Sequence, residues 1–176
     1  MNSMPTGSSA TSATSADDRT FVDTNVLVYA HDASEQARKP LARAALKRLW
    51  STRTGVISTQ VLQEFYVVAT SPNKLGMSPS AAREIIDLYS AWPVVLLEPV
   101  LILAASRLHE TATISFWDAL IVEAARVAGA GRILSEDLAR GQLFEGIRVE
   151  NPFEGYACRE KTTGTSDSVE DDNTTV

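Results

Sequence analysis

The chain has 176 residues, 44 % hydrophobic and 22 % charged, which suits one domain with a proper core. Its single cysteine, Cys158, excludes an internal disulfide and a cysteine-built metal site, and two histidines, His31 and His109, leave little room for a zinc cluster. The net charge of −6 is concentrated at the ends: residues 19–158 hold 14 basic and 15 acidic groups, so the acidity does not exclude a nucleic-acid substrate, though no broad basic patch points to one.

Residues 1–18 and 156–176 read as disordered polar tails, the second acidic, around a domain spanning 19–155. No basic start followed by an apolar segment marks a secretory signal. The most apolar region, Val94 to Ala105, is broken by Glu98-Pro99 and is shorter than the ~20 residues of a spanning helix. No membrane association is expected, and the cytoplasm is the expected location.

Between the tails, strand and helix patterns alternate. Thr20–Val22 reads as a short strand and Asn25–Ala30 as a helix start, which His31-Asp32 ends. Arg38–Trp50 is an amphipathic helix with Leu41, Ala45, Leu46 and Leu49 on one side and Pro40 in its first turn. Gly55–Ser58 is a strand and Thr59–Ala69 the helix after it. Ser78-Pro79 starts a helix to about Tyr89, with Ser as cap and Pro at the first helical position. Val94–Leu97 is a strand, and Pro99 opens a helix ending near His109. Ser115 caps Phe116–Ala128, which Gly129 to Gly131 stop. Arg132–Leu134 and Ile147–Val149 are short buried strands. This alternation predicts an α/β domain with a largely parallel sheet, whose sites form outside the carboxyl ends of the strands.

Four acids stand out. Asp23 and Asp137 follow strands, Glu64 lies in the otherwise apolar run Val61–Val68, and Asp118 falls in the first turn after Ser115, where the helix dipole favours its charge. Singly, each has an ordinary explanation: a turn or cap for Asp23, a first-turn charge for Asp118, a loop acid for Asp137, a solvent-facing residue for Glu64. Carboxylates near a core are costly unless something positive pairs with them, and no Lys or Arg stands beside any of the four. A divalent cation is the simplest shared partner. Mg²⁺ and Mn²⁺ take oxygen ligands, screen phosphate charge and lower the pKa of a bound water. Thr24, Asn25 and Ser135 adjoin the acids as orienting hydrogen bonders, and Gln60 shares a helix face with Glu64. Other residues take structural readings: Glu123 and Arg126 on an exposed helix face, Trp50, Trp92 and Trp117 in the core rather than as stacking platforms, His109 at a helix end, and Arg53, Lys74 and Arg140 in solvent, with phosphate contact as their alternative.

Four segments carry a resemblance: Phe-Val-Asp-Thr-Asn-Val at 21–26, Ser-Thr-Gln-Val-Leu-Gln-Glu-Phe at 58–65, Ser-Phe-Trp-Asp-Ala-Leu-Ile-Val at 115–122 and Leu-Ser-Glu-Asp-Leu at 134–138. With the acids 41, 54 and 19 residues apart, the chain resembles the PIN-domain nucleases, and among them the VapC-type toxins of bacterial toxin–antitoxin pairs. The resemblance implies a central parallel sheet of about five strands flanked by helices, and Mg²⁺- or Mn²⁺-dependent cleavage of RNA by a metal-activated water. It implies that Asp23, Glu64, Asp118 and Asp137 are the catalytic and metal-binding acids, with Thr24, Asn25, Ser115 and Ser135 in support. It further implies a cognate antitoxin and a homodimer. A housekeeping ribonuclease of the same family and a non-catalytic binding module are the rival readings.

Overall fold

A computed structural model describes residues 18–138 and 141–154. Apart from Asp18, the expected tails lie outside the described residues, as do Cys158 and Arg140. Twelve elements follow in chain order: β1 (Thr20–Val22), α1 (Thr24–His31), α2 (Arg38–Thr52), β2 (Gly55–Ser58), α3 (Thr59–Thr70), α4 (Pro79–Tyr89), β3 (Val94–Val95), α5 (Pro99–Thr111), α6 (Phe116–Val127), β4 (Arg132–Leu134), β5 (Leu143–Phe144) and β6 (Ile147–Glu150).

The strands are short, and burial falls toward the sheet edges: β3, Leu143 of β5 and alternate residues of β6 are partly or fully accessible. Every residue of β1 and β2 is inaccessible, so three or four residues suffice to cross the core. They form one sheet in the order β3-β2-β1-β4-β6-β5. β1 pairs in parallel with β2 and β4, and β4 with β6. From the central β1 the chain builds outward through β2 and β3, then returns to the other side of β1 for β4. The crevice between β1 and β4 at their carboxyl ends is therefore a topological switch point, where open α/β sheets place their ligands. Phe21 and its register partner Ile133 are fully buried on one face of the sheet and Ile57, beside Val22, on the other, each contributing about 1.5–3 kcal/mol by burial.

The expected α/β fold holds, with two differences. β3 is only Val94–Val95, since Leu96 turns outward and is 61 % exposed. The sheet has six strands rather than about five: β5 pairs antiparallel with β6 through the two-residue turn Glu145-Gly146, both at positive φ (47° and 94°). Such a turn suits the twist of a hairpin, and Glu in the first position disguises it in the sequence.

Caps fix the helix starts. The Ser58 and Ser78 hydroxyls accept from the amides of Val61 and Ala81, and Pro79 fills the first position of α4. Gly55 permits a close approach: a Cβ there would lie 2.6 Å from the ring of Trp92. Trp92 is buried and its ring sits 5.2 Å from that of half-buried Trp50, as expected of core residues. Trp117 does not join them; at the second position of α6 it is 62 % exposed. Glu123, expected on an exposed face, is buried, since all of Ala119–Ala125 is enclosed where α6 packs between α5 and the sheet. Arg126 bridges it at 2.6 Å and offsets the burial of its charge.

Candidate active site

The switch-point crevice opens into a cleft of about 730 Å³ whose lining includes Asp23, Glu64, Asp118 and Asp137. Four separate elements deliver these acids. Asp23 is both the end of β1 and the N-cap of α1: its Oδ1 accepts from the Thr24 amide at 2.6 Å. Its backbone amide donates to the Leu134 carbonyl at 3.0 Å, which locks the ends of β1 and β4 together. Asp137 lies just beyond β4 in the turn that Ser135 begins. Glu64 comes from the middle of α3, and Asp118 from the first turn of α6.

Neutral donors hold all four. Ser135 Oγ donates to Asp23 Oδ2 at 2.7 Å and itself accepts from the amides of Asp137 and Leu138 at 3.2 and 3.1 Å. The Asn25 amide lies between two acids, donating to Asp23 Oδ2 at 3.0 Å and Asp137 Oδ2 at 3.1 Å. Thr24 Oγ1 donates to Glu64 Oε2 at 2.7 Å, and Gln60 Nε2 to Glu64 Oε1 at 2.9 Å. Ser115 and Asp118 form a reciprocal capping box, with the Ser115 hydroxyl 2.7 Å from Asp118 Oδ2. The first-turn reading of Asp118 is thus true of the same residue that lines the cleft.

Among the described residues, none of the four acids makes an ion pair with Lys, Arg or His; the three bridges present join Arg38 to Glu35 and Glu136, and Arg126 to Glu123. Also among the described residues, no three His, Cys, Asp or Glu side chains are grouped closely enough to hold one ion. The acids share a cleft and a hydrogen-bond network without meeting at a point. Asp23 feels this most. Burial drives its pKa up from 3.8 to about 6 against the hydrogen bonds from Ser135 and Thr24, and the negative charges of Glu64 and Asp137 raise it further.

Two features were not legible in the sequence. Glu136, beside Asp137, is clamped by the Tyr29 hydroxyl at 2.6 Å and by Arg38 Nε at 2.9 Å, with Arg38 stacked on the Tyr29 ring. This clamp fixes the turn that carries Asp137, but its members lie about a hundred residues apart and give no local signal. Lys74 is exposed, as expected, and its place on the rim of the cleft together with Trp117 is what the sequence does not locate.

Residues 20–139 match the family model of the PIN domain. No curated protein matches the chain. Among solved structures, VapC20 of Mycobacterium tuberculosis, a sarcin–ricin loop cleaving toxin, is similar at 25 % identity and a TM-score of 0.52, over 67 % of this chain and 91 % of that one. VapBC2 of Rickettsia felis, bound to a DNA fragment from its promoter, shares the fold at 19 % identity and a TM-score of 0.55, over 75 % of this chain and 97 % of that one.

Proposed function

The chain belongs to the PIN-domain family, and we propose that it is a metal-dependent endoribonuclease acting as the toxin of a type II toxin–antitoxin pair. The observation that carries this reading is the set of four carboxylates lining one cleft with neutral donors only around them. Likeness to a toxin that cleaves the sarcin–ricin loop, over nearly all of that protein's length, supports RNA as the substrate.

The donors fit a hard divalent cation by their chemistry: all are oxygens, none is neutralised by a basic side chain, and the most buried one is held as a costly anion. Mg²⁺ or Mn²⁺ would be held in the cleft that Asp23, Glu64, Asp118 and Asp137 line, with water completing its shell between the separated carboxylates. Such an ion, when bound, supplies charge neutralisation at the phosphate and a water acidic enough to attack at neutral pH. The rest is the work of this chain. Asn25 and Ser135 set the spacing of Asp23 and Asp137, and Thr24 and Gln60 fix the Glu64 head. The Ser115 cap engages Oδ2 of Asp118, so only one of its two oxygens is committed to the helix. Val28, Val68 and Ile121 line the cleft beside the acids as apolar wall.

A cluster of carboxylates without a resident cation is open to an arginine inserted by a protein partner, which supports an antitoxin that blocks the site directly. A homodimer and a cytoplasmic location belong to the same reading. No helix among the described residues is long and apolar enough to cross a membrane.

Cleavage of a panel of structured RNAs by antitoxin-free protein, in Mg²⁺, Mn²⁺ or EDTA and beside Asp118→Asn, tests the proposal. Cleavage that requires both metal and Asp118 supports it. Folded Asp23→Asn and Asp118→Asn proteins that cleave at the wild-type rate refute it.

A further inference from the structure

The cleft has two features that holding a metal does not explain. Its outer wall carries Trp117, 62 % exposed and adjacent in sequence to Asp118. A large exposed aromatic forfeits the burial that would stabilise it elsewhere, so it is informative where it stands beside a reactive centre. Trp117 is also held in place. Its carbonyl accepts from Gln60 Nε2 at 3.3 Å, and the same Gln60 nitrogen donates to Glu64, which ties the start of α6 to the acid network. The neighbouring Phe116 ring meets it edge-on at 5.8 Å. Lys74 supplies a cation to the same cleft.

The second feature is a further groove, of about 610 Å³, that adjoins the first. Asp118 and Asp137 line both. The acids therefore sit at the junction of two open grooves rather than at the bottom of a closed pit. Away from the junction, the second groove is lined by the hydrogen-bonding side chains of His109, Thr113 and Gln142, together with the carboxylate of Glu110. His109 is oriented by a 2.7 Å hydrogen bond between its Nδ1 and the Ile114 carbonyl.

Resting on the ribonuclease reading, we propose that Trp117 is the platform on which one base of the RNA stacks as the strand crosses Asp118 and Asp137 from one groove to the other. An indole face is a sequence-tolerant platform for a base, and only an unpaired base can lie on it. Lys74 is placed to meet a backbone phosphate on the Trp117 side, and the polar second groove takes the sugar–phosphate chain beyond the junction. Trp117 here is a positioning residue, which fixes where along the strand the acids act.

The test is tryptophan fluorescence of the full chain in EDTA at low salt, titrated with a ten-nucleotide single-stranded RNA and with the same sequence as a duplex. Trp92 is buried and Trp50, partly buried, packs against it, so Trp117, the most exposed of the three, dominates the solvent-sensitive emission. We expect the single strand to quench and the duplex not to. Removal of a base–aromatic contact weakens binding by roughly 5- to 100-fold; Trp117→Ala should show a loss in that range by fluorescence anisotropy of labelled RNA, and Trp117→Phe a smaller one. With Mn²⁺ present, Trp117→Ala should raise KM more than it lowers kcat. Because Trp117 is exposed, both variants should keep the wild-type melting temperature. Unchanged RNA affinity in Trp117→Ala, equal quenching by duplex, or quenching only on addition of a protein partner overturns the proposal. The two readings fail separately. Metal-dependent cleavage with no role for Trp117 would leave the nuclease and remove the platform, whereas Trp117-dependent binding without cleavage would do the reverse.

Discussion

Asp23 offers a quantitative check on how the site is built. A group whose folded pKa lies above its unfolded value binds its proton more tightly in the native state. Stability therefore falls as pH rises from the unfolded value, 3.8, through the folded value, about 6. The gap of about two units at 1.36 kcal/mol each is worth about 3 kcal/mol, present as stability at pH below 3.8 and lost above pH 6. Asp23→Asn removes the titration but not the shape. Its carbonyl can still accept from Thr24, while its NH₂ now faces the donors of Ser135 and Asn25, a pH-independent loss of roughly 1–2 kcal/mol. The stability difference between variant and wild type should thus move by about 3 kcal/mol in the variant's favour from acid to neutral pH. At pH 7.5 the variant should be the more stable protein by about 1–2 kcal/mol.

Urea unfolding followed by circular dichroism, in EDTA at half-unit steps from pH 4 to 7.5, measures this directly. All other titrating groups are common to both proteins and largely cancel in the difference. A difference that stays flat within about 0.5 kcal/mol across that range, less than the scatter expected of independent sites, would show that Asp23 is not held as a strained anion. The argument for an uncompensated carboxylate cluster would then lose its strongest support.

Four further outcomes follow from the same geometry. Mn²⁺ or Mg²⁺ at about 100 times its dissociation constant should stabilise the wild type by about 3 kcal/mol, and neither Asp23→Asn nor Asp118→Asn should gain as much; thermal melts with and without metal test this. Asn25→Ala removes the amide shared by Asp23 and Asp137 and should lower metal affinity or cleavage by about 10- to 100-fold with little change in fold, as calorimetry and circular dichroism together would show. Gly55→Ala drives a Cβ into the Trp92 ring and should cost about 1–3 kcal/mol in urea unfolding, with activity per folded molecule unchanged. Arg38→Met breaks the clamp on Glu136 at a partly exposed bridge, so stability should change by less than about 1 kcal/mol; a fall in cleavage rate larger than the fall in stability would locate its role in fixing the Asp137 turn.

Much of this arrangement was legible in the sequence because local chemistry dictates it. Asp23 ends a three-residue apolar strand, Ser115 and Asp118 have capping-box spacing, and Ser78-Pro79 announces a helix start, so these positions needed no tertiary knowledge. What was not legible depends on distance. Trp117 and Trp92 are the same residue type in apolar surroundings, and only tertiary packing decides that one is a rim and the other a core. Glu123 looks like a surface acid until α5 covers it. β5 escaped because its two residues pair only through a Glu-Gly turn that the chain alone does not advertise. Lys74 belongs to the cleft through the loop after α3, whose course no periodicity encodes.

The placement of the basic residues leaves the four acids without a charged partner among the described residues. Arg38 is close enough to the Asp137 turn to grip its neighbour Glu136, yet both of its ion pairs, to Glu35 and Glu136, leave Asp137 aside. Arg126 serves the buried Glu123 at the far end of α6. Lys74, on the rim, makes no ion pair with any of the four acids, and those acids are left with hydroxyl and amide donors, which orient a carboxylate without neutralising it. Had Arg38 reached Asp137 instead, the apoprotein would be more stable and the acid would be less available as a ligand. The fold thus stores at Asp23 a penalty of about 3 kcal/mol, a large share of a typical domain's margin of about 5–15 kcal/mol, which the burial of the hydrophobic core on both faces of the sheet offsets. That trade is the one expected where function requires unpaired charge, and it predicts that stabilising substitutions at these four acids come at the expense of metal affinity and cleavage.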